Sequence, residues 1–168
     1  MRANFAFGQA RGDAIHPFRI ADAVRGAVDL TGHGLRQQQT TLSASLPEDL
    51  PPVIGHVARL EQVLVNLINN ARDAGGSTIS VDASAVERGG RPLVRIAVED
   101  SGPGIAPEVL SRLFATFVTT KARGKGTGLG LRICRRIVEE MDGEITARNR
   151  AEGGACFEIL LPAATTAD

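Results

Sequence analysis

The sequence predicts an α+β fold: a two-layer α/β sandwich with a mixed, mostly antiparallel sheet of about five strands and three helices on one face. Three observations point there. Two long stretches, 57–74 and about 127–141, place apolar residues at helical spacing. Two pairs of apolar runs, STISVDASAV with LVRIAVED and GEITARN with ACFEILLP, flank Gly-Gly turns and read as antiparallel strands. The resulting order, α-β-α-β-β-loop-α-β-β, suits helices layered on one side of a sheet.

Taken along the chain, residues 1–17 have weak periodicity and end in His16-Pro17, so they read as an arm or as the trailing end of another unit. The domain proper is expected from about Phe18 to 162, with 163–168 as a tail. Ile20, Val24, Ala27, Val28 and Leu35 recur at helical spacing over 20–36, and a short strand, TTLSASL, follows at 40–46. Pro47, Pro51 and Pro52 punctuate a loop. The helix at 57–74 carries Leu60, Val63, Leu64, Leu67, Ile68 and Ala71 on one face and ends at Gly75-Gly76. The first strand pair turns at Glu87 to Arg91. After Pro107 comes a short helix, 108–113, then a polar, glycine-bearing stretch at 115–127. The second strong helix follows, and the last two strands turn at Gly153-Gly154.

Composition bounds the function. The 168 residues suit one domain, and 43% hydrophobic content indicates a real core. With 19 basic against 19 acidic residues, the chain has no electrostatic footprint for nucleic acid. No apolar run approaches the roughly 20 residues of a membrane span, and the N-terminus lacks a signal-peptide core, so no membrane contact by this segment is expected and it reads as cytoplasmic. The two cysteines, Cys134 and Cys156, read as buried, reduced thiols rather than a disulfide.

Three polar features ask for a reason. On the 57–74 helix, Asn66, Asn70 and Asp73 share one stripe, roughly 90 to 150° from the centre of the apolar face. Asparagine costs helix stability, and carboxamide oxygens one turn apart suit a hydrated Mg²⁺ that takes its other ligands from phosphate; the alternative is a solvated flank. Asn69 points away from the apolar face and reads as solvated. In VEDSGPGI, Asp100 ends a strand, and Gly102 and Gly104 permit close approach. A carboxylate there can accept a hydrogen bond from an exocyclic amine, or simply make an Asx turn. The third is GKGTGLGL, residues 124–131. It fits neither the P-loop nor the dinucleotide fingerprint, and by itself reads equally well as a surface loop ending at a helix start.

In this order, NLINNARDA, DSGPGI, LFATFVTTK and GKGTGLGL resemble the N, G1, F and G2 boxes of the ATP-binding catalytic domain of sensor histidine kinases. That domain lies in the superfamily shared by gyrase, the ninety-kilodalton heat-shock chaperones, histidine kinases and MutL. The resemblance spans about residues 18–162 and implies the Bergerat-type ATP-binding fold. LEQVLVNLINNARDA and FVTTKARGKGTGLGL are most similar to the subgroup of dicarboxylate and nitrogen sensors.

The resemblance implies that Asn70 ligates Mg²⁺, that Asn66 faces the phosphates, and that Asp100 reads adenine N6 while Gly102, Gly104 and Ile105 close around the base. It makes 115–127 a lid over the nucleotide, begun by Phe114 and Phe117. Thr120 and Lys121 would meet the phosphates, with Arg123 or Lys125 as further candidates; Gly126, Thr127, Gly128, Leu129 and Gly130 would bring the lid into an anion-favouring helix start. Asn66, Asn70 and Lys121 would be the catalytic set. Ala115-Thr116 departs from the usual acidic residue and proline of the F box, and Asp73 stands where many relatives carry a lysine.

Hydrolysing members of the superfamily place a glutamate where this chain has Asn66. A carboxamide takes no proton near neutral pH, so the γ-phosphoryl group is expected to go to protein rather than water. The implied acceptor is a histidine on an upstream helical dimerisation domain. His16 precedes a proline in an irregular stretch, His33 lies between glycines and His56 lacks the HE-type helical context. The chain is therefore expected to be a catalytic half, monomeric alone and part of a homodimer in the full protein, with a response regulator downstream. It would be cytoplasmic, whether or not the whole protein is membrane-bound. A serine kinase of the anti-sigma type, or a non-catalytic ATP-sensing module on the same fold, are the competing readings.

Overall fold

The computed structural model describes residues 14–114 and 129–165. In chain order the elements are β1 (His16–Phe18), α1 (Ile20–Gln37), β2 (Thr41–Ser45), β3 (Val53–Gly55), α2 (Val57–Asp73), β4 (Thr78–Arg88), β5 (Arg91–Asp100), α3 (Pro107–Leu110), α4 (Leu129–Glu140), β6 (Glu144–Asn149) and β7 (Ala155–Pro162). The main sheet has five strands in the order β2-β4-β5-β7-β6. β2 runs parallel to β4, and the other pairs are antiparallel. This is the expected mixed α/β architecture.

Period-two alternation decides which sheet face is buried. Ile79, Val81 and Ala83 of β4, Val94, Ile96 and Val98 of β5, and Phe157, Ile159 and Leu161 of β7 join one core with Leu60, Leu64, Leu67 and Ile68 of α2. Ala23, Val24 and Ala27 of α1 and Cys134, Ile137 and Val138 of α4 complete it. Each large aliphatic side chain buried here contributes about 1.5–3 kcal/mol. The opposite face carries charge: Arg95 bonds Glu158 Oε2 through Nε at 2.7 Å and Asp82 Oδ2 through Nη1 at 3.1 Å.

Several expectations are corrected. His16–Phe18 is not irregular but pairs antiparallel with Val53–Gly55, inside what reads as a proline-broken loop. Three-residue strands show no alternation, and Pro17, which lacks an N–H, is tolerated in so small a ladder. What holds the pair is burial of Phe18 and Val53, at 6% and 0% exposure. The β4–β5 hairpin is longer than its apolar runs: Arg88 pairs with Arg91, leaving only Gly89-Gly90 as the turn, with φ of +60° and +77°. Positive φ at both central residues matches the twist of the strands, and glycine adopts it without strain. α3 is shorter than expected and begins at Pro107. Asn69 is half-buried rather than fully solvated.

Candidate functional site

The site is built along one edge of α2. Asn66, Asn70 and Ala74 follow at intervals of four, and side chains at that spacing stack along a helix. At one end, a Cβ added to Gly130 in the first turn of α4 would lie 3.8 Å from Asn66 Cγ and Oδ1. At the other, a Cβ on Gly102 would lie 3.4 Å from Ala74 O, and one on Gly76 only 2.8 Å from Gly102 N. Asn70 thus lies between the start of α4 and the turn that leaves β5. Asn66 and Asn70 are half-buried, whereas Asp73 is exposed and its Oδ1 accepts from Nε and Nη2 of Arg72, both at 3.2 Å. Gly75 and Gly76 do different work. Gly75, at φ +86°, reverses the chain after α2, and Gly76 lets the backbone pass against Ser101 and Gly102.

Asp100, the last residue of β5, is 5% exposed. Its Oδ1 accepts from Gly102 N–H at 2.8 Å and Ala155 N–H at 3.4 Å. The Asx turn and the strand-end carboxylate are therefore one feature: a single oxygen makes the turn, and Oδ2 takes no part in these bonds. The turn is held further by Ser101, whose N–H reaches Thr78 O at 3.1 Å while its Oγ accepts from Thr78 N–H at 3.1 Å.

Behind Asp100 stands the loop joining β6 to β7, whose part sequence reasoning missed. Arg150 Nη1 donates to Asp100 O at 2.9 Å, and its Nε lies 3.4 Å from Glu99 Oε2. Gly154, at φ +88°, passes so close that a Cβ would meet the Asp100 carbonyl oxygen. Asn149 bonds the backbone of Ile105 on both sides, at 2.7 Å each. The Gly153-Gly154 pair reads as a turn in sequence; only its non-local partners distinguish it from any other.

The buried carboxylate at the end of β5 therefore lies against the C-terminal end of α2, with backbone approaches at Gly76, Gly102 and Gly154 that exclude side chains. The family model described as "Histidine kinase-, DNA gyrase B-, and HSP90-like ATPase" matches residues 55–165. The chain belongs to that family. Among its relatives is the two-component sensor PprA of Pseudomonas aeruginosa, 40% identical over 159 residues, which cover 90% of this chain and 17% of PprA. This chain thus spans about a sixth of that relative's length. Full-length ShkA, solved in complex with AMPPNP, superposes with a TM-score of 0.78 at 30% identity, over 93% of this chain and 32% of ShkA. The nucleotide-free catalytic domain of the histidine kinase ThkA gives 0.74 at 30% identity, over 89% of this chain and 96% of that one. ThkA has also been solved with the response regulator TrrA. These matches do not single out the dicarboxylate- and nitrogen-sensor subgroup.

The remaining ATPase-family expectations divide by position. Phe117, Thr120, Lys121, Arg123, Lys125, Gly126, Thr127 and Gly128 lie outside the described residues, as does the Leu129 side chain. Phe114 lies inside them and packs edge-on against Phe157 of β7, with ring centroids 6.3 Å apart, which ties it to the sheet. A carboxamide oxygen is a hard donor of the kind Mg²⁺ accepts, and Asn70 on α2 carries one; no group of three or more His, Cys, Asp or Glu side chains able to hold a metal occurs among the described residues. No described helix is long and apolar enough to cross a membrane.

Both cysteines are free and buried, as expected. Cys134, one turn into α4, sits against Asn66 and 3.8 Å from Val63 O; burial pushes its thiol up to about 11. Cys156, on the outer sheet face near Glu99 and Arg148, is likewise pushed up to about 11 by burial. A thiol with a raised folded pKa favours the folded state below its unfolded pKa, and that contribution is lost as pH rises towards the folded value. Thermal stability is therefore expected to fall between about pH 9 and 11 in calorimetric scans, and less steeply in Cys134→Ala. An unchanged slope would place the loss elsewhere.

Proposed function

We propose that this domain binds ATP with Mg²⁺ between α2 and the end of β5 and donates the γ-phosphoryl group to a histidine on a separate helical dimerisation domain. The observation that carries the reading is Asp100: a buried carboxylate with one oxygen committed to the Gly102 and Ala155 amides, beside a helix whose Asn66–Asn70 edge leads to the start of α4. Asp100 Oδ2 would accept from the adenine amine. Gly102, Gly104 and Ile105 would line the base, and Asn70 would offer its carboxamide oxygen to the cation. Mg²⁺, once bound, would neutralise charge developing on the phosphates.

The residues of the chain supply position rather than covalent chemistry, which suits phosphoryl transfer. Asn66 orients phosphate but takes no proton, so transfer to protein is favoured over hydrolysis. The amides at the start of α4 would favour phosphate charge, with Gly126, Thr127, Gly128, Leu129 and Gly130 leading into that turn. Thr120 and Lys121 would close from the lid, and Phe117 would anchor it. The names of the relatives, and the AMPPNP and response-regulator complexes of ShkA and ThkA, support the same reading. A domain of about 18–162, a cytoplasmic location, a homodimeric full-length protein and a downstream response regulator belong to the same proposal.

Incubation with γ-labelled ATP and Mg²⁺ is expected to leave no acid-labile phosphate on this chain alone and to label an added cognate acceptor domain. Self-labelling of His16, His33 or His56 would overturn the division of labour. Binding without transfer to any acceptor would favour the ATP-sensing module.

A further inference from the structure

We propose that Asn149 is a positioning residue for the adenine pocket, setting the Gly104–Ile105 wall from the end of β6, 44 residues further along the chain. This rests on the nucleotide reading above. The Asn149 carboxamide is used as a two-pronged clamp: Oδ1 accepts from Ile105 N–H and Nδ2 donates to Ile105 O, both at 2.7 Å. A carboxamide is among the few side-chain groups offering donor and acceptor side by side, so it can complete both backbone groups of one residue as a paired strand would. Residues 101–106, between β5 and α3, lie in no strand or helix, so no ladder holds Ile105 in place.

The clamp also explains Gly104. At φ +81° its backbone favours glycine, and a Cβ there would come within 2.9 Å of Asn149 Oδ1. Gly104 thus makes room for the clamp as well as for a ligand. The next residue, Arg150, fixes the other half of the motif by donating to Asp100 O at 2.9 Å. Two consecutive side chains therefore hold Asp100 and Ile105, at the two ends of DSGPGI, at a set separation. Asn149 itself is exposed, so its removal leaves no cavity in the core.

The test is isothermal titration of ATP·Mg²⁺ into wild type, Asn149→Ala and Asn149→Asp, with thermal melts of each protein without nucleotide. Asn149→Ala is expected to weaken ATP binding about five- to tenfold, the scale of one lost net hydrogen bond, with the nucleotide-free melting temperature within about 3 °C of wild type. Asn149→Asp should lose as much, because it can accept from Ile105 N–H but sets a carboxylate oxygen against Ile105 O. If wild type binds and Asn149→Ala binds equally well, or loses affinity only in proportion to its unfolded fraction, the inference is overturned alone. A wild type that binds no ATP sinks the functional reading and this inference with it.

Discussion

Asp100→Asn is expected to remove most of the stabilisation that ATP·Mg²⁺ gives the domain while leaving the nucleotide-free fold intact. The asparagine carbonyl can take over the bonds from Gly102 N–H and Ala155 N–H, now at 2.8 Å and 3.4 Å, so the turn survives. Its amide group then occupies the second position and turns a donor towards the donor of an adenine amine. A hydrogen bond to a charged acceptor contributes about 1.5–3 kcal/mol, and the buried donor left unpaired adds to the loss, so affinity should fall about a hundredfold. At ATP concentrations a hundred times the wild-type Kd, ligand stabilisation is about 2.7 kcal/mol; after that loss it would be about 0.4 kcal/mol. Differential scanning calorimetry with and without ATP·Mg²⁺ reads the difference. A variant stabilised as much as wild type would remove Asp100 from adenine recognition.

The largest structural effect is expected at Gly154. An alanine there would hold a left-handed φ of +88° and press its Cβ into the Asp100 carbonyl, with the Asp100 carbonyl carbon only 2.7 Å away. Both sides of the clash are backbone, so relief requires the β6–β7 loop to part from β5. Gly153 is the built-in control: its φ is +99°, but a Cβ would meet nothing within 4 Å. Gly153→Ala should cost about 1–2 kcal/mol from backbone strain alone. Gly154→Ala should cost about 4 kcal/mol or more in urea unfolding, among the largest single-residue effects. Equal losses at the two positions would show that the approach to Asp100 is not what demands glycine.

What was legible in the sequence depended on whether the deciding interaction was local. The helix at Val57–Asp73 and the strand ending at Asp100 announce themselves because period and strand-end chemistry are written within a few neighbouring residues. The pairing of β1 with β3 was not legible, since three residues cannot display a period and Pro17 argues against a strand. Nor could Gly154 be told from Gly153: both look like turn glycines, and only a partner 54 positions away separates them. Asn149 was missed for the same reason, its clamp closing on Ile105 across the sheet end. Asn66 and Asn70 could be grouped on one helix edge from spacing alone. That Gly130 and Gly102 flank this edge at its two ends required the fold.

The central claim is that the end of β5 reads the amine of adenine, and replacing ATP by inosine triphosphate tests it most directly. The two nucleotides share ribose, triphosphate and Mg²⁺ binding, but inosine carries a carbonyl oxygen where adenine carries the amine. Calorimetric titration of the wild type is expected to show inosine triphosphate binding at least about thirtyfold more weakly than ATP, since an acceptor would face an acceptor. In Asp100→Asn that preference should shrink or reverse, because the new amide can donate to the inosine oxygen. Equal affinity of the wild type for the two nucleotides would contradict the account.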